Sequence, residues 1–217
     1  LGGLGELLAQ VVADLGLAGA TEPVVVCLAL AGAGRPGEQA QVMALVRARG
    51  WAQTVVVVSD ARAALEGAHA GGCGIIVIAG TGSIVLGKGP AGAEVRAGGW
   101  GPLLGDEGSG YALGLQGLRA VFRARDGWGV PTRLSADLLA QLGLEAWDEL
   151  IGPLYAGSVG RERIAALAPA VLSAAAGGDQ AAAAIVAREG RCLGRQVAAV
   201  AGRLGLRGAI PVAGAGG

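Results

Sequence analysis

The sequence predicts an α/β protein, and three observations support this class. Hydrophobic residues make up 53% of the 217 residues, which excludes a disordered chain. Two short valine-rich runs, at 24–30 and 54–59, alternate with segments of helical periodicity and lack polar alternation, as expected of parallel strands covered on both faces. The segment 74–87 predicts two further strands around a turn, and the chain after residue 110 is helical in pattern.

In the first 70 residues the pattern predicts alternating helices and strands. Apolar residues recur at helical spacing up to Leu15, and Gly16 and Gly19 end that pattern. The predicted elements are a helix at about 3–16, a strand at 24–30, a glycine-rich loop at 31–36, a helix at 38–49, a strand at 54–59 and a helix opened by Asp60. We interpret residues 1–70 as a partial N-terminal lobe.

Gly71 and Gly72 form a predicted joint, so residues 71–217 are interpreted as a C-terminal lobe. Its helices follow the two-stranded segment, and Ser135 and Asp179 are the expected N-terminal caps of two of them. These helices are predicted at 111–124, 135–142, 146–155, 161–176 and 179–204. A last strand, 208–212, leads into the final glycine pair.

Charge and composition exclude several classes of partner. The chain has 17 basic and 17 acidic residues, neither sign forms a run of five, and aromatic residues are 3% of the total, so we expect no nucleic-acid partner. The first residues lack a signal-peptide pattern, and no window approaches the roughly 18 apolar residues that a membrane span needs. Three scattered cysteines and one histidine predict no zinc site. We therefore expect a cytoplasmic protein without a membrane partner or a bound structural metal.

Asp60 stands where an apolar strand meets the start of a helix, and two interpretations of it remain open. Its carboxylate could cap the helix by accepting backbone N–H bonds. Alternatively, it could accept the proton of an attacking hydroxyl, because α/β proteins bind ligands at the carboxyl ends of their strands.

Two glycine-rich segments follow. The turn 80–83, Gly-Thr-Gly-Ser, is either a turn that requires positive φ angles or a cradle whose N–H groups and Thr81 hydroxyl contact phosphate. The segment 98–109 is costly to order unless its backbone approaches a ligand, although Asp106 and Glu107 could also begin the next helix. An acid after a strand and two glycine loops together suggest transfer of a phosphoryl group to a polar small molecule.

Three motifs together resemble one known family. They are Val-Val-Ser-Asp-Ala at 57–61, Ala-Gly-Thr-Gly-Ser at 79–83, and Gly-Gly-Trp-Gly-x-x-x-Gly-Asp-Glu-Gly-Ser at 98–109. This combination resembles the N-acetylglucosamine kinase branch of the BadF/BadG/BcrA/BcrD ATPase family. The resemblance extends over essentially the whole chain and implies a two-lobed ribonuclease H-like fold, that of the sugar kinase, Hsp70 and actin superfamily.

The resemblance also implies roles for individual residues. Asp60 matches the base that deprotonates the sugar hydroxyl. The positions that match ATP-binding residues are Gly80, Thr81, Gly82, Gly216 and Gly217. The positions that match amino-sugar-binding residues are Ser83, Ile84, Gly99, Trp100, Gly101 and Asp106. ATP, with Mg²⁺ carried on the nucleotide, is the implied cofactor, and a homodimer is compatible with the family.

The sequence departs from the family pattern in two ways. Ile84 replaces an Asn that the animal enzymes tend to carry, and the loss of this amide leaves the identity of the acceptor sugar open. The family also begins with a hairpin bearing an Asp-Gly-Gly-Gly-Thr phosphate loop and continues beyond the adenosine glycines. We therefore expect a fold that is incomplete at both ends, part of a longer protein, and no activity from these 217 residues alone.

The function expected from the resemblance is ATP-dependent phosphorylation of N-acetylglucosamine to its 6-phosphate. Three alternatives remain open: a kinase of glucosamine or N-acetylmuramic acid, an ATPase activator of a radical dehydratase, and a sugar-binding domain without catalysis. Such activators hold an iron–sulfur cluster on cysteines, and the spacing of Cys27, Cys73 and Cys192 offers no close pair of ligands.

Overall fold

A computed structural model describes residues 2–16, 25–50, 52 and 54–216. The chain divides into two compact units, Leu1–Gly67 and Ala68–Gly217, and each is described by itself. The first unit contains, in order, α1 (Gly2–Asp14), β1 (Val25–Leu30), α2 (Pro36–Ala48) and β2 (Thr54–Ser59). Helix α3 (Asp60–His69) runs across the boundary between the units.

The first unit is built on a two-stranded parallel sheet, which confirms the predicted parallel pairing. Val25 of β1 lies opposite Thr54 of β2. One face of this sheet packs on α2, where Val42 and Val46 are buried with residues of β2. The other face, which carries Val25 and Val56, is exposed. Successive strand residues point to opposite faces, so buried Val55 and Val57 lie on one face and exposed Val56 lies on the other. The expectation that both faces are covered is therefore wrong for the described part of this unit.

The second unit contains a mixed four-stranded sheet in the order β5-β4-β3-β6. Its strands are β3 (Gly74–Ala79), β4 (Ser83–Lys88), β5 (Glu94–Gly98) and β6 (Val212–Ala215). Strands β3 and β4 pair antiparallel, with Ile75 opposite Gly87, which confirms the predicted hairpin. Strand β6 comes from the far end of the chain and pairs parallel with β3.

The predicted last strand, 208–212, lies too early in the sequence. Strand β6 begins only at Val212, because Pro211 has no N–H to donate to a neighbouring strand. The Pro211 carbonyl instead accepts a hydrogen bond of 2.9 Å from Ile75 N, just before the strands pair.

Six further helices complete the second unit. They are α4 (Gly110–Arg125), α5 (Leu134–Leu142), α6 (Asp148–Tyr155), α7 (Arg161–Ala165), α8 (Ala168–Ala176) and α9 (Gln180–Arg203). The single helix predicted at 161–176 is two helices, because Pro169 occupies the first turn of a new helix, a position that proline favours. Among the described residues no single helix is long and apolar enough to cross a membrane. The segments Arg161–Ala176 (α7 and α8) and Gln180–Arg203 (α9) reach that length and apolarity only when taken together, and they are bent by 115° where they meet.

Two cores hold the second unit together. Helix α9 crosses the sheet and buries Val200 against Ile75 and Val85. A second core lies among the helices and includes Leu138 of α5 and Val171 of α8, both fully buried. The sheet and the helical region therefore share α9, which positions the loops between them.

Of the two predicted helix caps, one is confirmed and the other is wrong. Asp179 caps α9, where its side chain accepts a hydrogen bond of 2.9 Å from Ala182 N. Ser135 does not cap α5, which begins one residue earlier at Leu134. The Ser135 hydroxyl instead accepts a hydrogen bond of 3.0 Å from the indole N–H of Trp147.

Candidate active site

A cavity of about 550 Å³ lies in the second unit, within the range of about 300–1,000 Å³ that is usual for small-molecule sites. Backbone of glycine-rich segments lines one part of the cavity, and side chains of helices, most of them small or apolar, line the rest. The glycine-rich segments contribute Ala79, Gly80, Thr81, Gly108, Gly110 and Gly216, and the helices contribute Leu113, Glu162, Ala165, Ala168, Pro169 and Leu172. Three positions predicted to bind ATP, namely Gly80, Thr81 and Gly216, are thus brought to one cavity.

The turn 80–82 joins β3 to β4 and contacts the beginning of α4. Gly80 N donates to Gly82 O at 2.9 Å, and Gly110 N donates to Gly80 O at 2.8 Å. Thr81 lies at the exposed tip of the turn. Tyr111 N also donates to Thr81 O at 3.4 Å, so the turn is held against the start of α4 by two backbone hydrogen bonds.

Gly216 lies where the end of β6 passes the end of β3. Its φ angle is +123°, and a Cβ at this position would overlap the carbonyl group of Ala79. The backbone can therefore approach this closely only because residue 216 is glycine. Gly217, the other predicted adenosine-loop residue, lies outside the described residues.

The buried carboxylate of Asp106 joins the turn to the second glycine loop. Asp106 is 3% exposed, and its φ angle of +63° is one that Asp adopts more readily than most residues. One carboxylate oxygen accepts a hydrogen bond of 3.2 Å from Ser83 N, and the other accepts one of 2.7 Å from the Arg161 guanidinium. The Ser83 hydroxyl donates to Glu107 O at 2.7 Å. Ser83 and Asp106 thereby form one buried cluster, and Gly82 lies beside it.

Helix α4 begins after this loop rather than within it. Ser109 is the N-cap residue, and its hydroxyl accepts a hydrogen bond of 3.1 Å from Ala112 N. The alternative in which Asp106 and Glu107 begin the helix is therefore wrong. The acid pair belongs to the loop, where Asp106 is buried and Glu107 is exposed.

Helix α9 holds the same loop from the other side. Glu189 is 4% exposed and accepts a hydrogen bond of 2.8 Å from Gly108 N. Leu193 fills the space that a Cβ at Gly108 would require, and Gln196 Nε2 donates to Glu107 Oε2 at 3.2 Å. The loop 105–109 is thus fixed by a helix more than 80 residues along the chain, since Gly108 and Glu189 are 81 residues apart.

The remaining positions predicted to bind the sugar lie around the loop 98–101. A Cβ at Gly99 would lie 2.9 Å from Ile84 Cδ1, so Ile84 packs directly on this loop. Trp100 is 56% exposed, and the Arg96 guanidinium lies 4.3 Å from the centre of its ring, a cation–π contact. The space beside Gly101 is open.

Asp60 lies in the first unit, as the first residue of α3, and is exposed. Its Oδ1 accepts a hydrogen bond of 2.8 Å from the next residue, Ala61 N. Ser59 makes the interaction typical of an N-cap, because its hydroxyl accepts a hydrogen bond of 3.1 Å from Arg62 N three residues later. The capping interpretation of Asp60 is therefore weakened, because its neighbour occupies that role.

Sequence reasoning missed Arg161 and Glu189. Each contacts a loop 55 or 81 residues away, and nothing local distinguishes an arginine at a helix start or a glutamate in an alanine-rich helix. Glycine spacing could have indicated Gly110, whose N–H binds the turn. Within the described part of the chain, no group of three or more His, Cys, Asp or Glu residues could hold a metal ion.

The cavity lies at the carboxyl ends of the parallel strands β3 and β6, and ligands of α/β proteins bind outside the carboxyl ends of parallel strands. The crystal structure of a candidate N-acetylglucosamine kinase from Chromobacterium violaceum matches this chain with a TM-score of 0.71 at 33% identity, over 88% of this chain and 64% of that one. A second candidate N-acetylglucosamine kinase, from Porphyromonas gingivalis, gives a TM-score of 0.58 at 20% identity, over 96% of this chain and 78% of that one. The protein therefore has the α/β fold of the actin-like ATPases.

The chain belongs to the BadF/BadG/BcrA/BcrD ATPase family, which it matches over residues 3–217. It is 39% identical over 154 residues to an N-acetylmuramic acid/N-acetylglucosamine kinase of Clostridium acetobutylicum, which is 71% of this chain and 50% of the relative. It is 36% identical over 158 residues to an N-acetyl-D-glucosamine kinase of Dictyostelium discoideum, again 71% of this chain and 50% of the relative. The chain thus spans about half the length of these curated relatives.

Proposed function

We propose that the complete gene product is an ATP-dependent kinase that phosphorylates N-acetylglucosamine at its 6-hydroxyl. One observation carries the proposal: Gly80, Thr81 and Gly216, which match the family's ATP-binding positions, line a single cavity. The kinase names of the two curated relatives support the choice of an amino sugar as acceptor. Such an enzyme acts where ATP is supplied, and we propose the cytoplasm as its compartment and a homodimer as its assembly.

The lining of the cavity fits a nucleotide. The glycine-rich side offers backbone without side chains, which lets phosphate groups approach closely. The helical side offers Leu113, Pro169 and Leu172, which suit the apolar faces of a base. Mg²⁺ would be held mainly by phosphate oxygens, because the described residues provide no cluster of metal-binding side chains.

The acceptor side of the reaction is proposed from the residues that match the family. Asp60 would accept the proton of the sugar hydroxyl as that oxygen attacks the terminal phosphate, and its exposed carboxylate is available for this role. Ser83, Gly99, Trp100, Gly101 and Asp106 would hold the sugar. Ile84 places an apolar side chain beside Gly99, so this wall offers contact area rather than a hydrogen-bonding amide.

The first test is an ADP-release assay on the complete gene product with N-acetylglucosamine, ATP and Mg²⁺. We expect sugar-dependent turnover that EDTA abolishes. In Asp60→Asn, we expect kcat to fall by about 10²–10⁴-fold, the range attributed to a general base. The affinity of this variant for ADP should not change. Asp14→Asn, a change to an exposed carboxylate of α1, is the matched control in the same unit. If Asp60→Asn retained most of its activity, Asp60 would lose the role of base.

A second candidate acceptor is N-acetylmuramic acid. One observation favours it: the relative from Clostridium acetobutylicum, 39% identical, is named for both sugars. A panel of N-acetylglucosamine, N-acetylmuramic acid and glucosamine, compared by kcat/KM, decides among them. A preference for glucosamine would argue against an N-acetylated sugar as the acceptor.

A further inference from the structure

We infer that Arg161 is a positioning residue that holds the Asp106 carboxylate and the turn 80–83 in one fixed arrangement. The inference deepens the proposed kinase function and rests on it, because Asp106 is proposed to hold the sugar and the turn to hold the nucleotide. Arg161 carries no role by resemblance and was not predicted from the sequence.

A single guanidinium contacts both segments. Arg161 Nη2 donates to Asp106 Oδ2 at 2.7 Å. The same nitrogen fills the space that a Cβ at Gly82 would occupy, so Arg161 lies directly against the turn. Asp106 Oδ1 accepts from Ser83 N at 3.2 Å, which closes the connection between turn, carboxylate and arginine. Removal of the guanidinium would therefore take one contact from each segment at the same time, while the Ser83–Asp106 hydrogen bond remains.

Burial makes this pairing energetically important. Asp106 is 3% exposed, and a carboxylate with so little access to water needs a cationic partner. Arg161 Nε is also buried, and the described residues offer it no hydrogen-bond acceptor. Loss of the Arg161 guanidinium would leave the Asp106 carboxylate buried without its cationic partner, which is strongly destabilising.

Arg161 also connects this cluster to the cavity. It is the first residue of α7, and Glu162 and Ala165 of the same helix line the cavity. A shift of α7 would thus change the cavity wall and the Asp106 carboxylate together. Arg161 therefore links the proposed nucleotide side to the proposed sugar side within one unit.

Two substitutions at Arg161 and one matched control test the inference. Arg161→Met removes the positive charge. Arg161→Lys keeps the charge beside Asp106, and so disturbs folding less, but loses the planar guanidinium that contacts both Asp106 and the turn. Arg163→Met removes a positive charge from the same helix, where Arg163 donates to Leu142 O at 2.6 Å, away from Asp106. All three are measured in the complete gene product beside the unchanged protein.

We expect Arg161→Lys to lower kcat/KM for N-acetylglucosamine by about 100-fold, through a raised KM for the sugar as well as a lower kcat. The KM for ATP should rise as well, because the turn that Arg161 contacts is proposed to hold the nucleotide. A merely structural role would reduce the amount of active protein and hence kcat, but would leave KM for the sugar unchanged. Arg163→Met should match the unchanged protein, and an unchanged sugar KM in Arg161→Lys would overturn the inference.

Hydrogen exchange separates failure of this inference from failure of the proposed function. Without any ligand, we expect the Ser83 amide and the loop 105–109 to exchange faster in Arg161→Met and Arg161→Lys, but not in Arg163→Met. If the unchanged protein phosphorylates no amino sugar, the kinase proposal fails, and this exchange pattern alone decides whether Arg161 positions the two segments. Equal exchange in all four proteins would show that it does not.

Discussion

At the residue scale, the close approach of β6 to the end of β3 depends on Gly216. Its φ angle is +123°, and any Cβ there would overlap the Ala79 carbonyl, so the site leaves no room for a side chain. We expect Gly216→Ala to cost about 1–3 kcal/mol of stability, the cost of a residue held in a strained backbone region. Because Gly216 lines the cavity, the same change should also weaken ADP binding.

Gly214→Ala is the matched control for this prediction. Gly214 lies in the same strand, and a Cβ there would meet nothing within 4 Å. Thermal unfolding and calorimetric titration with ADP measure both effects. If Gly216→Ala and Gly214→Ala behaved alike in the two measurements, the close approach of β6 to β3 would not matter for the cavity.

Asp179 provides a pH-dependent contribution at the same scale. Burial raises its pKa, but hydrogen bonds from Ala182 N, Arg133 N and the Thr132 hydroxyl outweigh that effect, so the pKa of Asp179 lies below its ordinary value of 3.8. A carboxyl group with a lowered pKa stabilises the folded state at pH values above its unfolded pKa. That stability is lost as the pH falls through the folded pKa.

We therefore expect Asp179→Ala to cost about 1 kcal/mol at pH 7, the usual value of a helix cap. The difference from the unchanged protein should shrink as the pH falls below 3.8. Urea unfolding at several pH values measures this. Asp137→Ala, which removes an acid from the first turn of α5, is the control, and a difference at Asp179 that is independent of pH would contradict the account.

At the element scale, α4 and α7 pack closely because residue 114 is glycine. A Cβ at Gly114 would overlap the carbonyl of Ile164 and lie 3.3 Å from Leu167 Cβ. We expect Gly114→Ala to separate the two helices and to cost about 1–3 kcal/mol, as overpacking does. Since α7 lines the cavity, ADP binding should weaken as well.

Gly194→Ala on α9 is the opposite case. A Cβ there meets nothing within 4 Å, and alanine is favoured over glycine inside a helix by about 0.5–1 kcal/mol. Gly194→Ala should therefore stabilise the protein. Chemical unfolding of both variants tests the pair, and stabilisation by Gly114→Ala would show that α4 and α7 are not in close contact.

The elements that the sequence predicted well are those with a strong local signal. The hairpin of β3 and β4 was predicted from two apolar runs around a glycine turn, and Asp179 was predicted as a cap. Helical periodicity continues across Pro169, so the sequence pattern does not predict the split between α7 and α8. The Ser135 hydroxyl binds Trp147 instead of capping a helix, and local patterns do not identify this partner.

The same distinction holds for the candidate site. The loops of the site could be predicted from the sequence, because ordering so many glycines costs conformational entropy that a ligand-binding loop can offset. The residues that hold those loops in place, Arg161 and Glu189, come from helices 55 and 81 residues away. Only the packing of α7 and α9 determines that these two side chains reach the loops.

At the scale of the whole molecule, the two units differ in what they contribute. Every residue that lines the cavity belongs to the second unit, including segments as far apart as 79–81 and Gly216. The proposed base, Asp60, belongs to the first. Nucleotide binding and proton transfer are therefore assigned to different parts of the chain and can be separated by experiment.

We expect ADP to protect backbone amides of the turn 80–83, the start of α4, and α7 from hydrogen exchange, and to leave residues 25–50 unprotected. At 100 times its Kd, ADP should also stabilise the protein by about 2.7 kcal/mol, because a ligand that binds only the folded state adds that amount. Asp60→Asn should keep both effects while losing turnover, whereas Gly216→Ala should reduce both at the same ADP concentration. If ADP protected residues 25–50 instead of the turn, the nucleotide site would lie in the first unit, and the assignment of Gly80, Thr81 and Gly216 would be wrong.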